Sequence, residues 1–272
     1  MDLSPMHAWW SHPKLNPRFE PSVPTEAMQH GTILHALILG SAVTWRIIPF
    51  DDYRTNAAKV AKKDAIDAGF IPIIDRKADE IRDIADKIGK AIPGIAASAL
   101  RHADTAHEAT VIAECRGVIC RARVDVLPPE QFGCLIDLKF ISVPIEPEAW
   151  NRTLVRDYLF QAALYPRLVQ AARGDKTPPE MRFLVCETEP PYGVSLHALA
   201  PDLLNMADQR LDQALRVWAM CRETGRWPGY STAIHYHEAP PWELAQQVRR
   251  EARESAGDQF ARLHAATGGP PR

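Results

Sequence analysis

At 272 residues, 46% hydrophobic and 24% charged, the chain has the make-up of an ordinary folded protein with enough length for a substantial core, which argues against disorder away from the ends. A net charge of −2 excludes a broadly basic surface, so any affinity for nucleic acid must be confined to a local groove. Five cysteines (Cys115, Cys120, Cys134, Cys186 and Cys221), odd in number and without C-x-x-C spacing, point to reduced thiols in a cytoplasmic protein.

One domain is expected over residues 1–272. The N-terminus lacks the basic region and apolar run of a signal peptide, and the longest apolar stretch, 33–43, is too short to span a bilayer and is broken by His35 and Gly40. Residues 1–24, rich in proline and tryptophan, have no period and are expected to form an irregular arm. A helix is predicted over 25–39, with Gly40 at its C-terminal cap. His35 lies on it, and Gly31, one turn earlier on the same face, would let the backbone approach another group closely. A lone histidine there is either a satisfied core residue or, given a partner, a ligand.

A strand is predicted at 47–50 and helices at 53–68, 76–92 and 95–101, the second carrying an apolar stripe of Ile81, Ile84, Ala85 and Ile88. Residues 107–115 read as a strand with Glu108, Thr110 and Ile112 on one face. After residue 140 come a long helix at 148–172, which Pro166 should kink or divide, and an antiparallel strand pair at 182–187 and 193–199. The chain ends with a helix at 201–223, a proline- and aromatic-rich excursion at 225–242, and a charged helix from 243 leading to a flexible tail.

The stretch 117–140 holds two apolar runs separated by Pro128-Pro129-Glu130-Gln131-Phe132-Gly133, the pattern of a β-hairpin. Alternation puts Asp137 and Lys139 on one face with Leu138 turned into the core. Asp125 comes from the partner strand. A turn that sets it nearly opposite Asp137 brings their Cβ atoms to about 4.5–5.5 Å, close enough for both carboxylates to hold one cation beside the lysine. Facing carboxylates repel unless a divalent metal reverses the sign of the interaction. The competing reading is a surface hairpin with solvated charges, because D…D-x-K is three common residues at loose spacing. Glu108, on the preceding strand, is either a third carboxylate of this group or an exposed strand-end glutamate. Lys59, Lys62, Lys63, Arg121, Arg123, Arg152 and Arg156 are candidates for a positive groove, or solvated faces.

The order SPMHAWW, GTILHALILG, Glu108, CRARVD, LIDLKF, QAALY, FLVCETEPPYGVSLHAL and CRETGRWPGYSTAIHYHEAPPWE resembles the PD-(D/E)xK nuclease superfamily, specifically its exodeoxyribonuclease VIII-like branch of phages and prophages, over nearly the whole chain. The resemblance implies an α/β (α+β) restriction-endonuclease-like core, a mixed central sheet flanked by helices. It implies His35, Glu108, Asp125 and Asp137 as metal ligands, Lys139 as the catalytic lysine, and Gln161 and Tyr165 as a Q-x-x-x-Y motif beside the site. Mg²⁺, or Mn²⁺, would be the metal, and linear double-stranded DNA the substrate of an exonuclease. A ring-like homo-oligomer, a single-strand annealing partner and a role in phage recombination are also implied. The chain departs from the pattern in having Pro166 after Tyr165, Phe140 where relatives carry Thr or Ser, and a late start relative to them. The chemistry fits the residues independently, since Mg²⁺ prefers oxygen ligands and leaves room for water and a phosphate oxygen.

Rival readings are an endonuclease, an iron–sulfur CRISPR-associated type, a catalytically silent DNA-end-binding or scaffold member, and a small-molecule hydrolase. Only Cys186 and Cys221 follow Lys139, too few for a four-cysteine cluster, and neither an acid nor the lysine is missing.

Overall fold

The structure is a computed structural model that describes residues 4–42 and 45–266, with side chains up to Ser255. The chain divides into two compact units, Met1–Gly229 and Tyr230–Arg272. The second contains a helix, α9 (Pro241–Ala266), and the expected flexible tail at 268–272 lies outside the described residues.

The first unit is built on a five-stranded sheet of order β3-β4-β5-β6-β7, with β3 (Ala106–Cys115), β4 (Val118–Leu127), β5 (Cys134–Ile141), β6 (Glu180–Glu187) and β7 (Val194–Ala198). All neighbours are antiparallel except β5 and β6, so the sheet is mixed. The hairpin from β4 to β5 turns through Pro128-Pro129, one turn of 3₁₀ helix and Gly133, whose φ of +60° closes it. A parallel neighbour needs a crossover. Here α6 (Pro147–Thr153), a π-helical turn (Leu154–Tyr158) and α7 (Leu159–Arg173) carry the chain over one sheet face from β5 to β6.

That face packs Val124, Leu135, Phe183 and Val185 against α7 and α8 (Pro201–Thr224). The opposite face packs Val126, Ile136, Leu138 and Leu184 against α2 (Glu26–Leu39), α4 (Asp75–Ala91) and α5 (Gly94–Arg101). Leu138 is turned into this core as its alternation requires. α2 begins where Thr25 accepts the Met28 N–H and ends at Gly40 with φ +64°. Between α2 and α4, β1 (Trp45–Ile48), α3 (Asn56–Asp67) and β2 (Ile71–Ile74) form a small parallel βαβ unit.

Three expectations are corrected. The arm is not wholly irregular, because Pro5, pre-set in φ, starts a short helix α1 (Pro5–Trp10). Pro166 does not divide its helix: α7 runs through it, losing only the bond to the Ala162 carbonyl, and the ring is buried. The irregularity falls instead at the π turn. Gly31 makes no close approach, since a Cβ there would meet nothing within 4 Å. All five cysteines are free thiols, with Cys134 and Cys186 buried in β5 and β6.

Buried Glu187, at the end of β6, ties two loops together. Its carboxylate accepts the N–H of Ile145 (2.8 Å) and of Gly193 (3.0 Å), and a Cβ at Gly193 would lie 3.0 Å from its Oε2. Glu187→Ala leaves both donors unpaired. It is expected to lower stability by about 2–4 kcal/mol, read as a lower urea midpoint at unchanged slope; a loss below about 0.5 kcal/mol would contradict this.

Candidate active site

The register Val126↔Ile136 puts Asp125 across from Asp137. It is the one residue pair in the β4–β5 ladder, whereas β5 and β6 pair along all of β5. The Leu138 N–H donates to the Asp125 side chain (Oδ2, 2.8 Å), so the carboxylate wedges in where the strands part. Both acids are inside the protein, Asp125 8% exposed and Asp137 3%.

On the other side of β4, the pairs His107↔Val126 and Ala109↔Val124 bracket Glu108 opposite Asp125, but those two residues are not paired themselves. Glu108 has a φ of +52°, a strained value for a side chain with a Cβ. This breaks the expected alternation: Thr110 and Ile112 stand exposed, while Glu108 is half-buried with its Oε2 shielded from solvent. Arg123 Nε stands 2.6 Å from that oxygen, and Lys139 Nζ 2.5 Å from Asp137 Oδ2, yet neither oxygen has a well-aligned hydrogen bond. The two acids are therefore charge-paired with unsatisfied lone pairs.

His35 reaches this group from α2. One ligand atom each from His35, Glu108 and Asp125 lies within 4.8 Å of the others. His35 Nδ1 is buried without a hydrogen-bond partner, and Asp125 Oδ2, at 3.7 Å, is too far to supply one. Atoms bound about 2.1 Å from one octahedral ion are separated by roughly 3–4 Å, so the His35–Asp125 spacing suits a shared cation. Burial lowers the His35 pKa, against the opposing pull of Asp137, which keeps the imidazole neutral with a lone pair to offer. Burial first, and then Asp137, raise the Asp125 pKa to about 7. An orphaned nitrogen and crowded carboxylates without enough positive charge fit a divalent metal. Asp137 does not join the 4.8 Å set.

Asp137 faces a second group from α7. Gln161 donates through Nε2 to Asp137 Oδ1 and accepts from Lys139 through Oε1 (3.2 Å). The Lys139 ammonium lies 4.5 Å from the centre of the Tyr158 ring. Tyr165, also on α7, feels the same group: burial, then Asp137, raise its pKa. All seven residues singled out in the sequence thus converge, in two linked groups. The sequence shows Tyr158, Gln161 and Tyr165 on one helical stripe at i, i+3 and i+7, but not the contact of Tyr158 with Lys139 nor the pairing of Arg123 with Glu108, hidden by an unforeseen left-handed residue.

Residues 12–240 match the family described as a PDDEXK-like domain of unknown function (DUF3799). The chain belongs to that family, and so to the PD-(D/E)xK superfamily. A search of curated proteins finds no match. Among solved structures, a "Putative exonuclease" from Eubacterium rectale is similar in fold, with a TM-score of 0.50 and 14% identity over 89% of this chain and 85% of that one. The D…D-x-K pattern of the sequence, Asp125, Asp137 and Lys139, lies on the two diverging strands. Phe140, standing where a hydroxyl was expected, props His35 edge-on with ring centres 5.1 Å apart.

The raised Asp125 pKa has a definite consequence for stability. The folded state holds a proton that the unfolded chain releases near the ordinary value of 3.8, so the contribution is full at low pH and is lost as pH rises through about 7. Without metal, thermal stability is expected to fall more steeply between pH 5 and 8 for the wild type than for Asp125→Asn, while stabilisation by Mg²⁺ grows over the same interval. An equal slope in both proteins would contradict the assignment.

Proposed function

We propose that this chain is a metal-dependent exonuclease that hydrolyses phosphodiester bonds of linear double-stranded DNA, in the manner of the exodeoxyribonuclease VIII-like branch it resembles. The observation that carries the reading is the convergence of His35, Glu108 and Asp125 on one side and Asp137, Lys139 and Gln161 on the other, at the split between β4 and β5. His35, Glu108 and Asp125 would hold the metal, with Asp137 alongside. Bound there, a divalent cation supplies a Lewis acid for a phosphate oxygen and acidifies water. Lys139, as an ammonium, supplies the positive charge and the donor: it would screen the scissile phosphate and orient the attacking water. Gln161, bonded to both Asp137 and Lys139, fixes their relative position. Oxygen donors favour Mg²⁺, and the imidazole of His35 also suits Mn²⁺.

The same proposal includes a homo-oligomeric ring around DNA, a single-strand annealing partner, a role in phage or prophage recombination and a cytoplasmic location, all resting on the resemblance. Among the described residues no helix is long and apolar enough to cross a membrane. The fold of the Eubacterium rectale protein and the exonuclease named for it are compatible with this reading. A silent DNA-binding relative is disfavoured because every acid and the lysine are present.

The test is digestion of linear and closed circular duplex by the purified protein with Mg²⁺, with EDTA as control. Linear DNA alone should disappear. Asp137→Ala and Lys139→Ala should each lose roughly 100-fold or more of the rate while remaining folded. Cutting of circles would make the protein an endonuclease, and no cleavage by a folded wild type would sink the nuclease reading. In a separate titration, His35→Ala should raise the Mg²⁺ midpoint roughly tenfold or more; an unchanged midpoint would return His35 to the core.

A further inference from the structure

An ammonium has three N–H donors. On Lys139 one of them donates to Gln161 Oε1 (3.2 Å), while Asp137 Oδ2 stands 2.5 Å from the nitrogen as an ion pair without a well-aligned hydrogen bond. The ammonium also lies over the ring of Tyr158, 4.5 Å from its centre, with the ring of Phe183 at 5.9 Å. Tyr158 is the last residue of the π turn, and its φ and ψ of −120° and 0° leave the helical values of its neighbours before α7 resumes. Single π turns of this kind recur at functional sites, because they change which way a side chain is aimed without ending the helix. The ring is also braced. Trp150 stacks on it at 5.9 Å with planes 16° apart, and Phe183 packs at 5.6 Å, and both braces are themselves buried.

We propose that Tyr158 is a positioning residue for Lys139, with the face of its ring holding the ammonium at the reacting centre. The inference rests on the nuclease reading above. Its physical basis is that the ion pair of Lys139 with Asp137 Oδ2 competes with any cation that Asp137 helps to hold. The amide of Gln161 and the aromatic face of Tyr158 are neutral partners that keep the lysine in place without drawing charge from the site. The attraction resides in the ring and not in the hydroxyl, which separates this role from simple hydrogen bonding.

The experiment uses the full chain with ¹³C-labelled lysine, assigned with Lys139→Arg, and the variants Tyr158→Phe and Tyr158→Leu. The ε-methylene protons of Lys139 should show an upfield ring-current shift in the wild type and in Tyr158→Phe, and lose it in Tyr158→Leu. On linear duplex with Mg²⁺, Tyr158→Leu should lower kcat by roughly 3- to 30-fold with KM nearly unchanged, and Tyr158→Phe should restore kcat to within about twofold. An unshifted lysine signal in the wild type, a Phe variant as slow as the Leu variant, or a change confined to KM would each overturn the assignment. A wild type that cuts no duplex sinks the nuclease reading and this role with it, whereas a cutting wild type matched by Tyr158→Leu sinks this role alone.

Discussion

The contact on which the site depends is the hydrogen bond from the Leu138 backbone to the Asp125 carboxylate. Two antiparallel strands that stayed paired beyond Val126↔Ile136 would face Asp125 and Asp137 toward each other in a continuous ladder, with no room between the strands for a ligand. Because a side-chain oxygen takes the backbone donor, the strands separate with that N–H satisfied, and burying an unpaired donor would cost about 1–3 kcal/mol. The split lies beside a core that packs on both sheet faces.

Charge balance then decides what the opening can hold. Asp137 has Lys139 and Glu108 has Arg123, but Asp125 has no cationic side chain of its own, and His35 is kept neutral by burial. One acid is left in excess in a poorly hydrated place, and its raised pKa registers that excess. Either a proton or a metal can neutralise it, and the two compete for the same carboxylate. The partnerless nitrogen of His35 distinguishes them, because a proton on Asp125 leaves that atom unsatisfied while a cation gives it a bond.

Most of this arrangement was legible in the sequence wherever it rests on short-range rules. Strand alternation put Asp137 and Lys139 on one face and Leu138 in the core, the Pro-Pro…Gly turn marked the hairpin, and Gly40 marked the end of the helix that carries His35. The α/β core followed from the resemblance. What could not be read depends on backbone departures that tertiary packing imposes. Glu108 carries a left-handed φ that no residue type near it announces, and the helix over Tyr158 is irregular although the one recognisable breaker, Pro166, lies eight positions later and leaves α7 intact. Arg123 looked like a solvated strand residue because its partner was expected on a different trajectory.

Those two departures have a common effect. Regular alternation would turn Glu108 out beside Thr110 and Ile112, and a regular helix would set Tyr158 at a different angle to α7. The left-handed residue brings a third donor to Asp125 and His35 on one side of the aspartate pair, and the π turn lays an aromatic face beneath Lys139 on the other. The acids and the lysine are thus approached from opposite sheet faces, the imidazole by α2 and the ammonium by α7. Such a site can gather negative donors for a cation while keeping its half-buried lysine outside that donor set, so that charge stabilisation and handling of a proton fall to different atoms.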